Sequence, residues 1–244
     1  MSRGLLYVSF GEACDKLAVH TIAYSRQFTD LPIHVLTNVQ NRCKRWKNLS
    51  GITFNVFKVK TELNREYKTR MNMYTPFDET LYLDCDSVVQ KKGIEQAFEF
   101  EEDVALNLFL YWEKGDKIIR LYRNAMQLSN VYLPLCVYNG ACICFKRRDT
   151  KINEFFRLWH HTWEITGKGR EMPALACALK SSGVSIKKLP KNFFAPDYYK
   201  PESTVQHNYT PNDSISFWDR YNIPHTQLLK NFDGDKTDWN WVDE

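Results

Sequence analysis

Apolar residues in this chain fall into short runs, and helical periodicity fills most of the intervals between them. Leu5-Leu6-Tyr7-Val8-Ser9-Phe10 predicts a buried strand, stopped by Gly11. Over residues 12–28, Leu17, Ala18, Thr21, Ile22 and Ser25 recur at helical spacing. Pro32 then precedes a second strand, Ile33-His34-Val35-Leu36, closed by Thr37 and Asn38. A third strand is expected over 52–59, and helical composition over 61–74 ends at Pro76. The run Leu81-Tyr82-Leu83-Asp84-Cys85-Asp86-Ser87-Val88-Val89 follows as a buried strand that carries two carboxylates. Beyond it the pattern predicts strands over 104–110, 140–145 and 184–186, and helices over 150–166 and 173–182.

Strands separated by helical segments imply parallel pairing and an α/β fold, a layered sheet flanked by helices. Residues 1–190 hold this alternation and are expected to form the main domain. Residues 191–244 are rich in Pro, Asn, Asp and aromatics, and are expected to wrap it as a loop-rich cap. In open sheets of this kind ligands sit beyond the carboxyl ends of the strands. Gly11 and the carboxylates of Asp84 and Asp86 fall at that edge.

Composition narrows the function classes. With 244 residues and a net charge of +4, the chain suits an anionic small molecule better than a nucleic acid. Its seven cysteines include no C-x-x-C pair, which argues against a zinc site and a disulfide framework. The first apolar run is too short for a signal sequence, and no apolar stretch is long enough to cross a bilayer. A cytoplasmic protein is the expectation.

The chemistry concentrates at Asp84 and Asp86. Residues two apart on an extended chain point the same way, so both carboxylates can converge on one divalent cation. Hard oxygen ligands suit Mg²⁺ or Mn²⁺, ions commonly shared with nucleotide phosphates. The same triplet also serves as an acidic turn at the end of a strand, and a two-residue motif cannot separate the two readings.

The order of motifs adds a further constraint. Thr69-Arg70-Met71 leads into the Asp84-Cys85-Asp86 strand, Tyr138-Asn139-Gly140-Ala141 opens a later one, and Glu171-Met172-Pro173-Ala174-Leu175 opens a helix. In this order the chain resembles the GT-A-type glycosyltransferases that use a nucleotide-sugar donor. It is most similar to the family containing glycogenin and the bacterial lipooligosaccharide galactosyltransferases, and the likeness spans residues 3–190. The resemblance implies a Rossmann-like GT-A sheet and metal-dependent, retaining transfer from a nucleoside-diphosphate sugar, with UDP-sugars as the habitual donors. Glycan, protein, lipid head group and modified base all remain open as acceptor.

It also implies roles. Asp84 and Asp86 would hold Mn²⁺ or Mg²⁺, while Tyr7, Ser9, Phe10, Gly11 and Cys85 would line the nucleotide. Arg70 stands where the family carries Lys, and would contact phosphate. Asn139 and Gly140 would face the donor sugar, and Glu171, in place of the family's Asp, would lie at the reacting centre. The family's C-terminal His and Lys have no direct counterpart in Asn231-Phe232-Asp233-Gly234-Asp235-Lys236. His207 and His225 are the alternative metal ligands in the tail, with His207 favoured by the extended run before it, and Lys236 is the available phosphate cation. The residues leave two other readings open. Asp84-Cys85-Asp86-Ser87-Val88 also fits the nucleophile strand of a haloacid-dehalogenase-type phosphatase, and the missing tail His fits a catalytically inactive sugar- or nucleotide-binding protein.

Overall fold

A computed structural model describes residues 1–39, 44–59, 64–108, 115–132, 137–147, 150–195 and 200–207. The chain starts β1 (Arg3–Ser9), α1 (Glu12–Ser25), β2 (Ile33–Thr37) and β3 (Ile52–Val56), followed by a one-turn helix, α2 (Asn64–Lys68). Next come β4 (Glu79–Leu83), β5 (Ser87–Val89), β6 (Val104–Leu108) and α3 (Gly115–Leu128). The order closes with β7 (Tyr138–Lys146), α4 (Thr150–Ile165), α5 (Met172–Ser182), β8 (Ile186–Lys188), β9 (Phe194–Ala195) and β10 (Val205–His207).

Among the described residues, seven strands form the main sheet in the order β3-β2-β1-β4-β7-β6-β8. The β3-β2-β1-β4 half is parallel throughout. The expectation of parallel pairing fails at β7, which runs antiparallel to both β4 and β6. A helix, α3, lies between β6 and β7 in the chain, yet the two pair antiparallel, so an intervening helix does not by itself make its flanking strands parallel. Alternation along each strand explains why both faces are covered. Leu5, Tyr7, Leu81, Leu83, Cys142 and Cys144 join one buried cluster with Leu17, Ala18 and Ile22 of α1. Leu6, Val8, Tyr82, Ile143 and Phe145 join the other, with Phe155, Phe156 and Trp159 of α4 and Leu175 of α5. A strand buried on both faces reads as a continuous apolar run, as β1 does.

Three other departures have local causes. Residues 81–89 are not one strand: β4 ends at Leu83, Asp84-Cys85-Asp86 forms a turn, and β5 joins a second, three-stranded sheet of order β5-β10-β9. The predicted helix over 61–74 shrinks to α2 and a 3₁₀ turn at Met71–Met73, with 60–63 outside the described residues. Helix α3 was not predicted, because Arg120, Arg123, Asn124 and Gln127 mask a narrow seam in which Ala125 packs on Ala176 and Cys177 of α5. No helix among the described residues is long and apolar enough to cross a membrane.

Candidate functional site

The site is built at the carboxyl edge of the parallel strands, where the chain leaves one sheet for another. Leu83 is the last residue of β4, and the Asp84 amide donates to the Ala141 carbonyl at 3.0 Å, holding the turn against β7. Ser87 donates back to the Asp84 carbonyl at 2.9 Å, which closes the turn before β5. Cys85 points the other way, into the core, where its thiol donates to the Val8 carbonyl. The alternation leaves Asp84 and Asp86 together on the open side, each side chain about one quarter exposed, 26% and 24%.

The second sheet supplies a third donor. β10 pairs antiparallel with β5, with His207 opposite Ser87. This register carries the His207 Nε2 to 3.2 Å from Asp86 Oδ1 and 3.9 Å from Asp84 Oδ2. One donor atom from each of Asp84, Asp86 and His207 lies within 4.8 Å of the others. Burial alone would lower the His207 pKa, but the carboxylates of Asp86 and Asp84 outweigh it and raise the value above that of an ordinary histidine.

On its other side Asp84 meets the chain's own cations. The buried Lys68 ammonium, at the end of α2, donates to Asp84 Oδ1 at 2.9 Å and to Glu171 Oε1 at 2.8 Å. Burial disfavours the ammonium, yet the two carboxylates raise its pKa above the usual lysine value. Tyr82, two residues before Asp84 and on the same face of β4, donates its hydroxyl to Asp84 Oδ1, and the Lys68 ammonium lies 5.3 Å from its ring centre. Arg65 Nε sits 3.1 Å from Glu171 Oε2. Burial would raise the Glu171 carboxyl, but Lys68 and Arg65 hold it down at about 2. Glu171 precedes α5 as its N-cap, yet its side chain makes no capping bond; both oxygens go to the cations.

Several residues singled out in the sequence lie close by. Gly140, beside Asn139 on β7, sits where an added Cβ would stand 3.7 Å from the Lys68 ammonium. The Asn139 carboxamide oxygen accepts from the Ala141 amide at 2.7 Å. Gly11 has φ 88° and ψ 150°, a conformation open essentially to glycine alone. Its amide donates to Asn38 Oδ1 at 2.7 Å, while Asn64 takes both the amide and the carbonyl of Phe10.

Others lie elsewhere. Tyr7 is fully buried in the core beneath α1, Ser9 is buried as well, and the Phe10 ring stacks on Tyr67 at 4.3 Å. Arg70 turns away to pair with Glu66. His225, Asn231 and Lys236 lie outside the described residues. The cation beside Asp84 is Lys68, which sequence reasoning passed over together with Arg65, Tyr82, Asn38 and Asn64. Two signals were available: Arg65 and Lys68 are spaced to share one helix face, and Tyr82 shares the strand face of Asp84.

No protein-family model and no curated protein matches the chain. Solved structures do. The galactosyltransferase LgtC, crystallised with donor and acceptor sugar analogs, aligns with a TM-score of 0.65 at 13% identity over 90% of this chain and 94% of that one. Mouse xyloside xylosyltransferase 1 aligns with a TM-score of 0.59 at 8% identity, over 87% and 99%. The glycosyltransferase GlyE of Streptococcus pneumoniae TIGR4 gives 0.61 at 10% identity, over 95% of this chain and 63% of that one. At such identities the likeness is one of architecture, and the chain has the GT-A-type glycosyltransferase fold.

Proposed function

We propose that the protein transfers a sugar from a nucleoside-diphosphate sugar, with a UDP-sugar as the preferred donor, to an acceptor hydroxyl in a divalent-metal-dependent, retaining reaction. The observation that carries this reading is the convergence of Asp84, Asp86 and His207 at the ligand-binding edge of a sheet with this fold. Fold alone does not assign activity; the donor set points to the chemistry. Two carboxylate oxygens and an imidazole nitrogen fit Mn²⁺ or Mg²⁺, with the nitrogen favouring Mn²⁺. When bound, such an ion acts as a Lewis acid toward a departing diphosphate.

The chain's own residues supply the rest. Lys68 is a fixed positive charge at neutral pH, held between Asp84 and Glu171 and next to Gly140. A cation fixed in advance stabilises charge that develops nearby without reorganising, which is a large term in catalysis of this class. Glu171 stays anionic and weakly basic because both of its oxygens are paired with cations. A general base works best with a pKa near the working pH. Glu171 therefore suits orientation of sugar hydroxyls better than proton abstraction, which supports the retaining reading over an inverting one. The phosphatase reading loses ground, because the sheet that carries Asp84 has the glycosyltransferase architecture and Asp84 follows its fourth strand in chain order rather than its first.

A thermal-shift screen of nucleoside diphosphates and nucleotide-sugars, with and without Mn²⁺, tests the proposal on wild type and Asp86→Ala. The expected result is Mn²⁺-dependent stabilisation by one nucleotide, lost in the variant, with slow release of the nucleoside diphosphate from its sugar conjugate. Turnover of a phosphomonoester with no nucleotide response would overturn it. Nucleotide binding with no sugar release or transfer would leave a binding protein in its place.

A further inference from the structure

Lys68 and Arg65 are carried by α2, a helix of five residues. A single turn is unstable by itself, since nucleation fixes several residues for one hydrogen bond. The position of both cations therefore depends on what pins the turn from outside. At its start Asn64 binds the Phe10 amide at 2.7 Å and the Phe10 carbonyl at 3.1 Å. At its end the fully buried Thr69 lies with its hydroxyl 3.1 Å from the Glu66 carbonyl and 2.8 Å from Nδ1 of His160 on α4.

Proton counting orders this chain. The Glu66 carbonyl can only accept, and the Thr69 hydroxyl has one proton to give. Both contacts are satisfied when Thr69 donates to Glu66 and His160 donates from Nδ1–H to Thr69. The neighbouring residue on α4, the fully buried Trp159, donates its indole N–H to the Glu171 backbone carbonyl at 3.0 Å. A third bond ties the segment after α2 to the same helix, from Asn72 Nδ2 to Asn153 Oδ1 at 2.9 Å. Successive residues of one helix thus hold the two partners of the Lys68–Glu171 pair from behind, without touching the pair's charged atoms.

We propose that His160 is a positioning residue: through Thr69 it fixes the one-turn helix that bears Lys68, while Trp159 fixes Glu171, so that α4 sets the geometry of the reacting charges. The proposal deepens the transferase reading and rests on it for its kinetic consequence. Misplacement of a charged group by a fraction of an ångström to one ångström lowers the rate of the chemical step far more than it weakens substrate binding.

The test compares His160→Leu and Thr69→Val, each of which removes one end of the bond, with His160→Asn, whose amide places a donor where Nδ1–H stands. Two quantities are read. One is the ¹H–¹⁵N signal of the Lys68 ammonium, identified by its loss in Lys68→Met, which is sharp and slowly exchanging only while the ammonium is held by its carboxylates. The other is kcat and KM for sugar release or transfer from the donor. His160→Leu and Thr69→Val are expected to broaden the ammonium signal and to lower kcat about 10- to 100-fold with KM within about threefold, and the double variant to do no worse than either one. His160→Asn is expected to restore most of both. An unchanged ammonium signal and kcat in folded His160→Leu and Thr69→Val would overturn the proposal. So would equal losses in His160→Asn and His160→Leu. If wild type turns over no nucleotide-sugar, the transferase reading fails, and the ammonium signal still decides whether α4 positions Lys68.

Discussion

Asp84 faces two different surroundings across a few ångströms. Toward α2 and α5 its charge is met by the chain itself: Lys68 and the Tyr82 hydroxyl are on it, and Lys68 and Arg65 share Glu171. Toward β5 and β10 it meets a second carboxylate, Asp86, and an imidazole drawn in between them. The first side is complete without a ligand. The second brings two carboxylates and an imidazole together, an arrangement that a proton on His207 or an added cation stabilises. One half of the site is thus an electrostatic support made by the chain's own ion pairs, and the other is a donor set suited to a cation.

The largest effect should come from breaking the complete side. Lys68→Met leaves Asp84 and Glu171 short of the cation buried between them, and removing one partner of a buried ion pair is costly. A loss of about 3 kcal/mol in urea unfolding and a fall in kcat of about 10³-fold are expected. Tyr82→Phe is the milder version. It keeps the ring beneath Lys68 and removes the hydroxyl from Asp84, so it should cost about 1.5 kcal/mol and weaken Mn²⁺ binding about tenfold. Isothermal titration with Mn²⁺ and urea unfolding read both numbers.

The smallest effect separates the two sides by pH. The His207 pKa is raised in the folded, metal-free protein, so its contribution to stability is full below the unfolded value of about 6.5. It is lost as pH rises through the folded value. Mn²⁺ competes with that same proton, so its affinity should change in the opposite direction and strengthen as pH rises. Metal-free wild type should therefore lose stability relative to His207→Gln as pH rises above about 6.5, while Mn²⁺ binding to wild type improves. Parallel slopes for the two proteins would show that His207 carries no such linkage.

Much of this was legible in the sequence, and the missing parts share a cause. The parallel half of the sheet followed from apolar runs and helical spacing, because strands such as β1 and β4 are buried on both faces and carry a strong local signal. The pair Asp84 and Asp86 was legible for the same reason. The extended run before His207 marked it as well, although nothing local disclosed that β10 pairs with β5 opposite Ser87. Lys68 was missed because its importance comes from Glu171, 103 positions away. Arg70 stood out instead by its place in a motif, and the structure sets it on Glu66. β7 was misjudged as parallel because strand direction depends on tertiary pairing that no short window contains.

The most direct test of the account is a titration of Mn²⁺ into wild type and Asp86→Asn in the presence of a nucleoside diphosphate, followed by the loss of the free Mn²⁺ electron-paramagnetic-resonance signal. One ion per chain is expected in wild type, with binding weakened at least 100-fold in Asp86→Asn and both proteins folded without metal. Equal Mn²⁺ binding in the two, or none in wild type at any pH between 6 and 8, would contradict the claim that Asp84, Asp86 and His207 form the cation site.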